Sequence, residues 1–145
     1  METVVIRGVP TRVWKNAPPT LRHVLGNMQA FSERTCLVYE DERVRYADFL
    51  RATGALAHML LELGVQRGDR VSLIMRNVPE FPVALFAAAA IGAIATPINA
   101  WGTGPELEHA LHDSGACVAV VDGERLERLA PHLKATALRK LIVTR

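Results

Sequence analysis

From Ala47 onward the chain repeats one pattern: a helical stripe, a glycine stop, then a short run that is apolar at almost every position. In the first such unit Phe49, Leu50, Thr53, Leu56, Ala57, Leu60, Leu61 and Leu63 fall on one helical face, with Asp48, Arg51, His58 and Glu62 off it. Gly64 stands where a left-handed C-cap is wanted, and Gly68 and Asp69 turn the chain into an apolar strand at Val71 to Met75. The unit then recurs. A helix from Pro79 to Ile91, stopped by Gly92, precedes strand Ile94 to Ile98, and helix Glu106 to His112 precedes strand Cys117 to Val121. A short helix bearing Leu126, Leu129 and Leu133 leads to strand Leu141 to Thr144. A strand without a polar alternation has no face to give to water. The pattern therefore predicts an α/β fold, mainly a parallel sheet with helices on both faces. The alanines of the second helix, between Ala84 and Ala90, suit close packing on more than one side.

Ahead of this region the reading is sparser. Residues 1 to 20 hold three prolines and mixed polarity, which predicts an extended arm lying on something else. Thr20 is a plausible N-cap for a helix from 21 to 31 carrying Leu21, Val24, Leu25 and Met28. The stretch CLVYEDERVRY alternates on either side of Asp41 and Glu42, the pattern of an N-terminal β-hairpin with an open turn type. Two segments are expected: 1–30 as arm and short helix, and 31–145 as an α/β unit.

Composition narrows the function classes. Seventeen basic residues against fifteen acidic ones, scattered rather than striped, give nucleic acid little to hold. Cys36 and Cys117 lack metal or redox spacing, so a reduced cytoplasmic setting is expected, without a secretory signal. The uncharged run from Phe81 to Pro105 is too alanine-rich and too broken by Pro82, Gly92 and Pro97 to span a membrane. Near the end, GERLERLAPHLKATALRK is basic and amphipathic. Its leucine stripe reads first as sheet packing, with peripheral membrane contact as the other use.

The stretch NAWGTGPELEHAL, residues 99 to 111, is where a phosphate loop could sit. Gly102 and Gly104 supply only Gly-x-Gly, with Leu107 where a third glycine is due, and no Gly-x-x-x-x-Gly-Lys-Ser/Thr occurs. Thr103 and Glu106 instead form a capping box, with Pro105 in the first turn. His109, His112 and Asp113 share a helix but do not complete a metal set, and read as a solvated surface. Cys117 reads as an inert core thiol, and no Ser/His/Asp elbow can be drawn. Bottom-up, the chain offers a scaffold without catalytic, cofactor-binding or metal-ligating residues.

In combination, several pieces carry a resemblance. They are Tyr46, Gly64-Val65, Gly68-Asp69-Arg70-Val71, Asn77 with Pro79-Glu80-Phe81, Gly92-Ala93, Pro97 with Asn99, Glu106-Leu107 and Asp113-Ser114-Gly115-Ala116. Over residues 30 to 145 their order and spacing resemble the amino-terminal region of the adenylate-forming acyl-CoA synthetases, and INAWGTGPEL is most similar to the fatty-acid and related carboxylate ligases. The resemblance implies a carboxylate attacking ATP to give an acyl-adenylate, then displacement of AMP by the thiol of coenzyme A, with Mg²⁺ among the cofactors. It also implies that the Ser/Thr/Gly-rich phosphate loop, the ribose-holding aspartate and the lysine of a carboxy-terminal domain lie beyond Arg145. On that reading the chain is a partial amino-terminal domain, about the first quarter of the family's length and inactive alone. Its partners would be the missing remainder or a second copy, through an exposed apolar face. A stand-alone non-catalytic module for protein contact or acyl binding is the alternative, and a small nucleotide-binding protein is disfavoured by the glycine spacing.

Overall fold

A computed structural model describes all residues from 1 to 145. Its centre is a four-stranded sheet made of β5 (Arg70–Ile74), β6 (Ile94–Pro97), β7 (Val118–Asp122) and β8 (Lys140–Thr144). Every pairing is parallel, in the order β6-β5-β7-β8. The central strand β7 is buried along its whole length. The edge strands β6 and β8 keep Ile94 and Val143 about half exposed.

Helices cover both faces, as the unbroken apolar runs require. On one face α2 (Tyr46–Glu62) and α3 (Glu80–Ala90) pack on Val71, Leu73, Val118 and Val120 through Ala57, Leu60, Ala84, Ala87 and Ala88. The alanines leave α3 without a bulky row, so helix, sheet and α2 approach closely. On the other face α4 (Gly104–Ser114) and α5 (Gly123–Leu129) bring Leu107, Leu111 and Leu129 against Ile74, Ala119 and Val121. Each of these buried leucines contributes about 2 kcal/mol of transfer free energy. The leucine stripe of residues 126 to 138 is therefore spent on this second core, which Leu126, Leu133 and Leu138 also join.

The predicted helix stops hold. Gly64 and Gly92 take φ of 78° and 79°, the left-handed backbone that ends α2 and α3. Helix α1 (Leu21–Met28) runs into a 3-10 turn to Phe31, and Thr20 caps it by accepting the His23 N–H at 3.3 Å. The predicted hairpin is formed by β3 (Thr35–Tyr39) and β4 (Glu42–Arg45), antiparallel, with the turn at Glu40 and Asp41, one residue earlier than the alternation suggests. Glu40 adopts φ of 49°, and the Arg43 guanidinium donates to its carbonyl at 2.7 Å.

Two readings are corrected. Within residues 1 to 20 the extended arm is a second antiparallel hairpin, β1 (Glu2–Ile6) with β2 (Val9–Val13). It turns through Arg7 and Gly8, both at positive φ, so a non-glycine residue in left-handed backbone supplied half of a turn that composition alone does not signal. Cys117 is half-buried rather than core, standing one residue ahead of β7 with its Sγ 3.5 Å from the Arg70 carbonyl oxygen.

Candidate functional site

Chain order and strand order disagree at one place. After β5 the chain steps outward to β6, then crosses back through α4 to β7 on the opposite side of β5. The crevice between the carboxyl ends of β5 and β7 is thus a topological switch point, where open parallel sheets take their ligands. Beside it a cavity of about 510 Å³ opens between the segments that follow β5 and β6, lined by Tyr39, Met75, Arg76, Phe81, Ala100 and Trp101 among others. Its roof is the β3–β4 hairpin. The Arg145 guanidinium holds that hairpin down, donating to both Glu42 carboxylate oxygens at 2.8 and 2.9 Å and to Glu80 Oε1 at 2.7 Å, and lying over the Tyr39 ring. The Arg145 contact in turn holds the Glu42 carboxyl below its ordinary range.

Beneath the cavity sits a charged cluster. Asp122, the last residue of β7, caps α5: its Oδ1 accepts the Arg125 N–H at 2.9 Å, and its Oδ2 accepts the Arg76 N–H at 3.2 Å. Arg125 is only 1% exposed. Its Nε donates to the Ala100 carbonyl at 2.9 Å and one terminal nitrogen pairs with Glu124 at 2.7 Å, while the other terminal nitrogen is buried without a partner. A desolvated N–H of a cation left unpaired is costly, and an anionic oxygen reaching it would remove that cost. The guanidinium carbons of Arg76 and Arg125 lie 4.8 and 5.4 Å from the centre of the Trp101 ring, which is itself 64% exposed. Arg76 and the flat Trp101 ring at the mouth, with the buried Arg125 cation beneath them, suit an anionic group carried beside a planar one.

The residues weighed in the sequence do not enter this cluster. Glu106 Oε2 accepts the Thr103 N–H at 2.7 Å and the Thr103 hydroxyl at 2.9 Å, and these bonds lower the Glu106 carboxyl from its ordinary value. The two glycines serve packing. A methyl on Gly102 would meet the Asn99 carbonyl oxygen and Leu107 at 3.2 Å, and one on Gly104 would collide with the His132 ring and meet the Arg128 carbonyl oxygen at 2.9 Å. His132 is fixed there by Glu108, 2.6 Å from its Nδ1. His109, His112 and Asp113 are exposed, and no three His, Cys, Asp or Glu side chains converge, so no Mg²⁺ step is assigned to these residues. Arg76, Trp101, Asp122 and Arg125 escaped the sequence reading because up to 49 positions separate them in the chain. One signal was present: Arg125 stands four residues before buried Leu129, a charge on the apolar side of α5.

Known proteins match along this frame. The family model described as AMP-binding enzyme matches residues 26–145. A long-chain-fatty-acid–CoA ligase of Escherichia coli is 38% identical over 95 residues, covering 66% of this chain and 17% of the relative. The ligase of the same name from Yersinia pestis is 34% identical over 124 residues, covering 74% and 22%. Among solved structures, the anthranilate CoA ligase AuaEII, in complex with anthranoyl-AMP, superposes with a TM-score of 0.82 at 25% identity, over 86% of this chain and 25% of its own. The chain thus spans about a fifth of the length of the curated relatives it matches. With the family model running from the first helix through β8 and the same fold in solved ligases, the chain belongs to the AMP-binding enzyme family.

Proposed function

We propose that this chain forms the amino-terminal part of an AMP-forming acyl-CoA ligase, acting in the cytoplasm on a fatty acid or a related carboxylate. The observation that carries the reading is the match to long-chain-fatty-acid–CoA ligases across the α/β unit. In such a reaction the carboxylate attacks ATP, pyrophosphate leaves, and the thiol of coenzyme A displaces AMP from the acyl-adenylate. Both nucleotides bring phosphates beside a planar base. The mouth formed by Arg76 and Trp101 is the part of this chain we assign to such a group, with the indole face open to the base and the buried Arg125 guanidinium adding positive charge beneath it. We assign residues 1–30 to an appended arm and 31–145 to the catalytic shell. The partner is the remaining ligase polypeptide, and no helix is long and apolar enough to cross a membrane.

The chain alone supplies cations and a ring but no group placed to stabilise a transferring phosphoryl centre, so it is not catalytic by itself. Purified 145-residue protein should show no carboxylate-dependent exchange of pyrophosphate into ATP. A polypeptide that continues from these residues through a Ser/Thr/Gly-rich loop ending in Pro-Lys-Gly should show it. Exchange by the short chain overturns the division of labour, and coding sequence unrelated to a ligase directly after Arg145 overturns the ligase reading in favour of a stand-alone module.

A further inference from the structure

The amino-terminal hairpin pairs with no other strand. An isolated two-stranded ribbon is marginal in water, and this one turns a whole face outward. The register sets Thr3 opposite Arg12 and Val5 opposite Pro10, so these four side chains share that face. Met1 and Trp14 continue the same alternation, and the Arg12 guanidinium lies 3.5 Å from the Met1 sulfur. On this face Val5 and Trp14 are each 71% exposed. The opposite face is mixed: Val4, Thr11 and Val13 are half-buried, whereas Glu2 and the tip pair Ile6 and Val9 are exposed. Around the outward face stand Arg7, Arg12 and Lys15, with Glu2 as the one acid in the first nineteen residues.

We propose that this outward face docks on an anionic phospholipid surface, with Trp14 and Val5 entering the headgroup boundary and Arg7, Arg12 and Lys15 facing the lipid phosphates. Charge complementarity selects the occupant. An amphipathic element with aromatic and aliphatic groups on one side and basic residues around them is the composition that binds at an anionic interface, where tryptophan also sits best. A second copy fits poorly. Five residues at about 3.4 Å on two strands about 4.8 Å apart give a footprint of about 160 Å². That is far below the roughly 800 Å² per partner of a stable interface, and two such faces would meet with like charges.

The test uses the full chain carrying Trp101→Phe, which leaves Trp14 as its only tryptophan. Vesicles of phosphatidylcholine containing phosphatidylglycerol should shift Trp14 emission to the blue and carry the protein down on sedimentation. Pure phosphatidylcholine should do so far less, and added salt should weaken the effect. Arg12→Gln with Lys15→Gln should lower partitioning about fivefold per charge removed. Val5→Ser with Trp14→Ser, read by sedimentation alone, should abolish it. Emission unchanged by anionic vesicles, a blue shift that follows protein concentration without lipid, or sedimentation indifferent to the Val5/Trp14 substitutions each overturns the proposal.

Discussion

Replacing Gly104 with alanine tests the packing explanation for the glycine pair. Gly104 opens α4 with ordinary helical backbone, so the substitution introduces no φ strain, and on helix propensity alone it would gain up to about 1 kcal/mol. The structure predicts the opposite sign. The added methyl would collide with His132 Nε2 and stand 2.9 Å from the Arg128 carbonyl oxygen. The ring can retreat only by giving up its 2.6 Å bond to Glu108, worth about 1 kcal/mol or more, and the carbonyl belongs to the buried end of α5. Overpacking of this kind costs about 1–3 kcal/mol. Set against the propensity gain, the net expectation is a loss of about 2 kcal/mol, or a fall in Tm of about 4–8 °C. Urea unfolding followed by circular dichroism measures it. In a His132→Ala background the same substitution should cost about 1 kcal/mol less, because only the carbonyl contact remains. A Gly104→Ala protein as stable as the parent, or an equal cost in both backgrounds, refutes the packing argument and reopens the glycines to a ligand.

Arg125→Met should destabilise by about 3 kcal/mol in the same assay, because it removes the cation beside the buried Asp122 carboxylate, leaving that charge with backbone donors alone, and takes the donor from the Ala100 carbonyl. Arg128→Met, which removes only a partly exposed pairing with Glu124, should cost less than about 1 kcal/mol. Acid should act through Glu42, Asp48, Asp69 and Glu106, whose carboxyls are held below their ordinary values, chiefly by hydrogen bonds from Arg145, Arg45, Gln66 and Thr103 respectively. Folded values below unfolded ones give stability that is complete above the ordinary carboxylate range near pH 4 and lost as pH falls through the lower folded values. Unfolding midpoints should therefore hold from neutrality to about pH 5 and drop below about pH 4. Glu106→Gln should flatten that drop; an unchanged slope would mean that the Thr103 bonds do not hold the charge.

The architecture was legible because burial writes itself into short-range pattern. Strands covered on both sides have no polar alternation, and Gly64, Gly92, Thr20 and the Thr103/Glu106 pair mark helix ends within a few residues of where they act. The first hairpin was hidden for the converse reason: its turn places Arg7 in left-handed backbone, which tertiary structure tolerates and sequence statistics do not reveal. The cluster at the switch point was hidden by distance. Asp122 and Arg125 are neighbours in sequence, but Arg76 and Trp101 reach them only once β5, β6 and β7 have taken an order that no local pattern encodes. Gly102 and Gly104 showed the limit most plainly, since identical residues serve a phosphate cradle or a close helix contact depending on what lies opposite.

The open rims of the sheet bear on what can join it. β6 and β8 each present one row of peptide N–H and C=O groups that no neighbouring strand uses. Both faces are already packed within residues 1–145, so the layer closes without help from either rim. A further strand, from this polypeptide or another, would meet a finished template and add by zipping onto a rim, without reopening what has set. Left bare, such rims are where two copies of the sheet would pair edge to edge.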